Sequence, residues 1–159
     1  MASSIAGIST LGVKLGYAVE TTAGTKPASF SLLSRINAIG GITITSENID
    51  ASALEDSVTK YVAGRGDADG TMSVTVNLTQ DTIDEWESLI SAYQTAKASG
   101  KATWFEIYHP SLGGDAFFVV AEPPLQIPLP ETNQNELWTV EMTLTVNDYK
   151  GLDTAVIPT

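Results

Sequence analysis

The sequence contains no cysteine. Disulfides and thiolate-held metals are therefore excluded, and folding in a reducing cytoplasm is the simplest reading. Cations are scarce. Eight Lys and Arg stand against 19 Asp and Glu, for a net charge of −11. Between Lys101 and Lys150 there is no Lys or Arg, yet Glu106, Asp115, Glu122, Glu131, Glu136, Glu141 and Asp148 all fall there. A net negative field opposes stable phosphate contact, so a specific nucleic-acid binder is disfavoured. No apolar run approaches the ~20 residues that a membrane-spanning helix needs. The first residues, Met1 to Gly7, lack the basic segment and apolar stretch of a secretion signal, so neither a leader nor a membrane role is expected.

The residues of catalysis are equally thin. The single histidine, His109, precedes Pro110 at a strand end and reads as a turn residue. General acid–base or nucleophilic chemistry would need a second partner within reach. Gly64, Gly66 and Gly70 match neither dinucleotide-binding nor phosphate-loop spacing. Asp67 to Gly70 resembles the start of a calcium loop, but the glycine comes two residues early and Leu78 stands where a closing Glu is required. Arg65-Gly66-Asp67 and the sequon at Asn77 have no secretory setting to act in. Glu55, Asp56 and the other acids of 46–70 read as charges of a solvated loop. The expectation is no catalytic residue, no metal and no cofactor.

What is present is β pattern. Residues 71–78 alternate cleanly, with Met72, Val74, Val76 and Leu78 on one face and Thr71, Ser73, Thr75 and Asn77 on the other. Residues 136–147 do the same. Trp138, Val140, Met142, Leu144 and Val146 oppose Thr139, Glu141, Thr143 and Thr145. Strands are also expected at 13–20, 42–45, 102–109 and 115–122, the last two joined as a hairpin by Gly113-Gly114. Segment 30–39 fits either a strand or a short helix. Residues 125–129 alternate, but Pro123, Pro124, Pro128 and Pro130 would confine such a strand to an edge. One helix is expected over 81–99. Ile83, Trp86, Leu89, Ile90 and Tyr93 recur at helical spacing, acids crowd its start, and Gly100 ends it. Its N-cap is either Thr82, boxed with Glu85, or Thr79. Trp86, Trp104 and Trp138 are assigned to the core by their apolar neighbours.

The sum is a mainly β (α+β) domain: an antiparallel β-sandwich or barrel of about seven strands with one flanking α-helix. The domain spans 13–147, with an N-terminal arm at 1–12, a long inter-strand loop at 46–70 and a C-terminal tail at 148–159. A loop of that length in a compact domain is expected to be either functional or disordered.

One succession of motifs is more specific. Ile49-Asp50-Ala51-Ser52-Ala53-Leu54-Glu55-Asp56 leads to Tyr61-Val62-Ala63-Gly64, then Gly66-Asp67, Gly70, the 72–77 strand and the helix opening Ile83-Asp84-Glu85-Trp86. This order resembles the tail tube (major tail) proteins of siphophages. There an acidic segment leads through a Tyr/Gly/Asp loop into a Thr/Ser-Val strand and a single helix. The resemblance implies a structural virion protein and not an enzyme. Its subunits would form hexameric rings that stack into a hollow, non-contractile tube. The tube would enclose the tape-measure protein, meet tail terminator and distal tail proteins at its ends, and let DNA pass without specific binding. The implied location is the virion tail, assembled in the host bacterial cytoplasm.

On that reading the long loop supplies inter-subunit contacts through Ile49, Asp50, Leu54, Glu55, Asp56, Tyr61, Arg65 and Asp67. The terminal arms would lock ring to ring. The lumen-facing residues would be Thr71, Ser73, Thr75, Asn77, Thr139, Glu141, Thr143 and Thr145. The alternatives are the inner tube of a contractile tail or secretion system, and a non-polymeric β-sandwich binding module. A carbohydrate binder would display exposed aromatics, and the candidates, Trp104, Phe105 and Tyr108, fall in an expected core hairpin.

Overall fold

A computed structural model describes residues 6–159 of the chain. Among the described residues, nine strands and one α-helix follow one another as β1 (Lys14–Val19), β2 (Ser31–Leu33), β3 (Ile36–Ile39), β4 (Ile44–Asp50), β5 (Tyr61–Ala68), β6 (Thr71–Asn77), α1 (Gln80–Ala98), β7 (Thr103–Tyr108), β8 (Asp115–Glu122) and β9 (Thr139–Thr154). Seven strands form one antiparallel sheet in the order β2-β1-β7-β8-β9-β6-β3, which remains open and does not close into a barrel. β4 and β5 form a separate two-stranded ribbon.

The main core lies on one face of the large sheet. Leu15, Leu33, Met72, Val74, Val76, Phe105, Val119, Ala121, Val140, Met142 and Leu144 converge there with Trp86 and Leu89 of α1. The two strands with the clearest alternation, β6 and β9, thus send their apolar sets inward as their sequences require. A second cluster, Phe30, Trp104, Ala116, Phe118 and Val120, occupies the opposite face over β7 and β8. Each of these two strands is covered on both sides, and both read as near-continuous apolar runs.

The helix begins one residue earlier than 81. Thr79 is its N-cap, and Thr82 is the partner in the capping box. The Thr82 amide donates to Thr79 Oγ1 at 3.1 Å, and the Thr79 amide donates to Thr82 Oγ1 at 2.9 Å. Glu85 is released from capping and instead accepts from the Ser34 amide at 2.9 Å and the Ser34 hydroxyl at 2.8 Å. This pins the short β2–β3 corner, where Arg35 takes a left-handed φ of 54°. Thr79→Ala should lower unfolding stability by about 1 kcal/mol in a urea titration, because the first turn loses its side-chain acceptor. At the other end, Lys97 and the Tyr93 hydroxyl both donate to Glu122 Oε1, at 2.8 and 2.7 Å. These bonds hold the Glu122 carboxyl below its usual range, with Lys97 the largest cause, and push the Lys97 ammonium well up.

Several readings of the sequence need correction. Residues 46–70 are not a loop: most of them form the β4–β5 ribbon, and only 51–60 connect its strands. The 125–129 segment forms no strand, as expected where prolines remove ladder donors on both sides. Of the two readings of segment 30–39, the strand is the one the structure takes, as two strands split at Arg35. The last strand runs on to Thr154, well past Asn147, bending through register shifts opposite Phe118/Val119 and Val120/Ala121. Only 155–159 remain of the 148–159 tail, and they strap back across their own sheet. The Ala155 amide donates to the Gly114 carbonyl at 2.9 Å, the Leu32 amide to the Thr159 carbonyl at 3.1 Å, and the Thr159 amide to the Phe30 carbonyl at 3.2 Å. Trp138 also departs from the core assignment. It stands just ahead of β9 and is half exposed.

Candidate assembly surfaces

Neighbours β6 and β9 bring all eight lumen candidates together. Their register pairs Thr71 with Thr145, Ser73 with Thr143, Thr75 with Glu141, and Asn77 with Thr139. Directly opposite residues in an antiparallel pair point to the same face. The eight side chains therefore form one patch, two residues wide and four long, on the face away from the core. Hydroxyls dominate it, Glu141 is its one charge, and no cation lies among the eight. β3 widens the patch. Ala38 pairs with Thr75, and Asn37 Nδ2 donates to Asn77 Oδ1 at 3.0 Å. Asn37 could not be assigned from sequence because segment 30–39 carries no clean period.

The second surface is the β4–β5 ribbon. Every residue of β4 is exposed, and the ribbon packs chiefly on itself. Its root is closed by the Thr43 amide, which donates to Asp69 Oδ2 at 3.0 Å. Ile49 lies opposite Val62, and Asp50 opposite Tyr61. Gly64 is required where it stands, since a Cβ there would come within 2.9 Å of the Glu47 carbonyl oxygen. The connection at 51–60 is itself ordered. Asp50 Oδ1 accepts from the Ser52 amide at 2.9 Å, Asp56 Oδ2 accepts from the Ala53 amide at 2.8 Å, and Lys60 lies 3.1 Å from Asp56. These bonds hold both carboxyls below their ordinary range.

Of the eight contact candidates, Asp50 and Asp56 are thus occupied in shaping the turn. Ile49, Leu54 and Tyr61 are presented to solvent, with Leu54 fully exposed at the tip. Glu55 also lies exposed in the connection, and Arg65 and Asp67 lie exposed on β5. Ile44, Val58 and Val62 are exposed as well and were not singled out from the sequence. Val62 shares a face of the ribbon with Ile49, while Tyr61, opposite Asp50, lies on the other face.

Elsewhere the chain has bland explanations for its suggestive residues. His109 Nδ1 accepts from the Ser111 amide at 3.0 Å, which leaves Nε2 to donate to the Leu11 carbonyl at 2.8 Å. The histidine is a clasp between the turn after β7 and the segment before β1. Among the described residues, no group of three or more His, Cys, Asp or Glu is placed to hold a metal.

No family model and no curated protein matches the chain in sequence. Solved structures match it over nearly its whole length. The tail of the empty gene transfer agent particle, refined with C6 helical symmetry, aligns at a TM-score of 0.52 with 17% identity, covering 91% of this chain and 95% of that one. The SPP1 tail tube aligns at 0.56 with 14% identity, covering 95% and 81%. The fold is that of tail tube proteins. The sheath/tube terminator of an extracellular contractile injection system also aligns, at 0.59 with 12% identity over 96% and 100%.

Proposed function

We propose that the chain is the structural subunit of a bacteriophage tail tube of the non-contractile kind. It assembles in the host cytoplasm into hexameric rings that stack into a hollow tube in the virion tail. The observation that carries this reading is the in-register polar patch of β6 and β9, together with a ribbon that packs chiefly on itself and exposes Ile44, Ile49, Tyr61 and Val62. An inward-facing wall of hydroxyls and Glu141 would neither bind phosphates nor order counterions around them. DNA would slide past such a wall, because without fixed cations it has no charge to pair with. The same lumen would hold the tape-measure protein before ejection, and the open ends of the tube would meet terminator and distal tail proteins. The ribbon, through Ile49, Leu54 and Tyr61 with Ile44, Val58 and Val62, would supply the contact between subunits. The contact is then heterologous, a surface of one copy meeting a different surface of the next, which is the kind that generates rings and filaments. Catalysis has no part in this role.

The test is Thr75→Lys combined with Thr143→Lys. Both sites face away from the core, so tubes should still form. Particles carrying the substitutions should eject DNA more slowly, and more so at low salt, in a time-resolved dye-release assay. Normal ejection from tubes shown to contain both lysines would refute the lumen assignment. The likeness to parts of contractile injection systems favours a second reading, the inner tube of a contractile tail. Micrographs of assembled particles decide between the two by the presence or absence of a sheath around the tube.

A further inference from the structure

One buried ionisable group has no part in these surfaces. Glu106 is fully buried on β7, beside Gly16 of β1 and Phe118 of β8. Its Oε2 accepts from the Val156 amide at 2.8 Å, and its Oε1 has no partner. Glu20 is the useful contrast. Burial raises its affinity for a proton, but amide donors at Ala102 and Gly24 and the Trp104 indole N–H bring its carboxyl below the ordinary range. Glu106 has a single donor, and burial holds its carboxyl above that range, with Val156 and the Lys26 charge pulling the other way. A buried carboxylate with an empty oxygen is costly, so the neutral acid is the form that suits this site.

What Glu106 holds is the strap at 155–159. Pro158 is buried against Gly16, so close that a Cβ on Gly16 would lie 2.9 Å from the Pro158 Cβ. Thr159 hydrogen-bonds along β2 at Phe30 and Leu32, and Ala155 and Val156 pack on the cluster of Phe30, Trp104 and Phe118. The strap therefore covers both an apolar sheet face and the outer edge of β2. An uncovered strand edge is a template for another chain.

We propose that residues 155–159 are a releasable cover, seated while Glu106 is neutral and freed when it ionises, so that the Phe30–Trp104–Phe118 face and the β2 edge become available. The neighbouring charges do not rescue the ionised form. Lys26 is engaged with Asp153 at 3.2 Å and with the Thr154 carbonyl at 2.9 Å. Lys150 stands over the Trp104 ring at 5.6 Å and pairs with Asp148 at 2.7 Å. Glu20 adds a negative charge beside the same indole. The sign follows from linkage. The seated state has the higher proton affinity, so seating is complete below the ordinary glutamate range and weakens as pH rises through the elevated value. Between those two values it falls by up to tenfold per pH unit, and above the elevated value it levels off.

Hydrogen exchange of the full chain, read amide by amide by NMR from pH 5 to 9 and corrected for intrinsic rates, tests this. Protection at Leu32, Val156 and Thr159 should fall with rising pH while α1 amides stay unchanged. Glu106→Gln, neutral throughout, should keep the strap protected at every pH. Gly16→Ala should displace it at every pH. Flat protection in the wild type, or a pH-dependent loss in Glu106→Gln, overturns the proposal, as does full strap protection in Gly16→Ala. If Glu106→Gln does not fold, the wild type decides alone. The midpoint of the Glu106 carboxyl-carbon titration must coincide with the loss of Val156 protection, and separate midpoints overturn the assignment.

Discussion

Deleting residues 45–67 and joining Ile44 to Ala68 through a short glycine linker should leave a folded protein that no longer polymerises. The ribbon packs chiefly on itself, and its strands pair only with each other. Its removal therefore takes little from either core cluster, and the melting temperature should stay within a few degrees of the parent. The effect on assembly should be total. The excision removes Ile49, Leu54, Val58, Tyr61 and Val62 together, all exposed in the isolated subunit. Such residues cost free energy in water that only a partner can return, at roughly 25 cal/mol per Å² of apolar surface covered. Circular dichroism and light scattering, followed by negative-stain microscopy at high concentration, read both halves of the prediction. Normal tubes from the excised protein would remove the ribbon from the assembly surface. An unfolded product would show instead that it supports the fold.

The second large effect belongs to the core. Trp86→Ala should reduce unfolding free energy by about 3–5 kcal/mol, a major share of a typical total of about 5–15. Trp86 is fully buried where α1 meets the sheet, so truncation leaves a cavity that several strands would have to collapse into. Trp86→Phe discriminates volume from polarity. The indole N–H has no hydrogen-bond partner, and an orphaned donor costs about 1–3 kcal/mol by itself. Phenylalanine removes that donor while keeping most of the ring, so its net cost should be far below that of alanine. Urea titrations of the two variants give the comparison. Equal losses would mean that ring volume is not what Trp86 contributes.

The legible parts of the sequence are those with one wet face. β6 and β9 could be read residue by residue because water on one side and α1 on the other impose a period of two. The helix was readable for the same reason at its own period. Alternation reveals faces but not partners. The eight polar residues could be named in advance, whereas their pairing as four cross-strand couples depends on a register that only tertiary structure sets. The β4–β5 ribbon was illegible as strand because both its faces are solvated, so no alternation is imposed, and its glycines and acids read as turn chemistry. β9 beyond Asn147 was lost to the same cause, with exposed Asp148, Lys150 and Asp153 and a left-handed Gly151 interrupting the pattern. The opposite error arose at 125–129. There the alternation is real, but backbone donors are missing at the prolines, and pattern without hydrogen bonds made no strand.

The position of β9 has a consequence for how the molecule is made. This strand is the last in chain order, yet it lies inside the sheet, bonded to β8 on one side and β6 on the other. While the ribosome is still reading the codons for 139–154, the sheet exists at best as two separate pieces, one of β1, β2, β7 and β8 and the other of β3 and β6. Joining them waits for the final strand and then requires contacts far apart along the chain, which makes folding slow relative to local structure. A growing chain thus lacks the paired polar patch until residues 139–154 have been made.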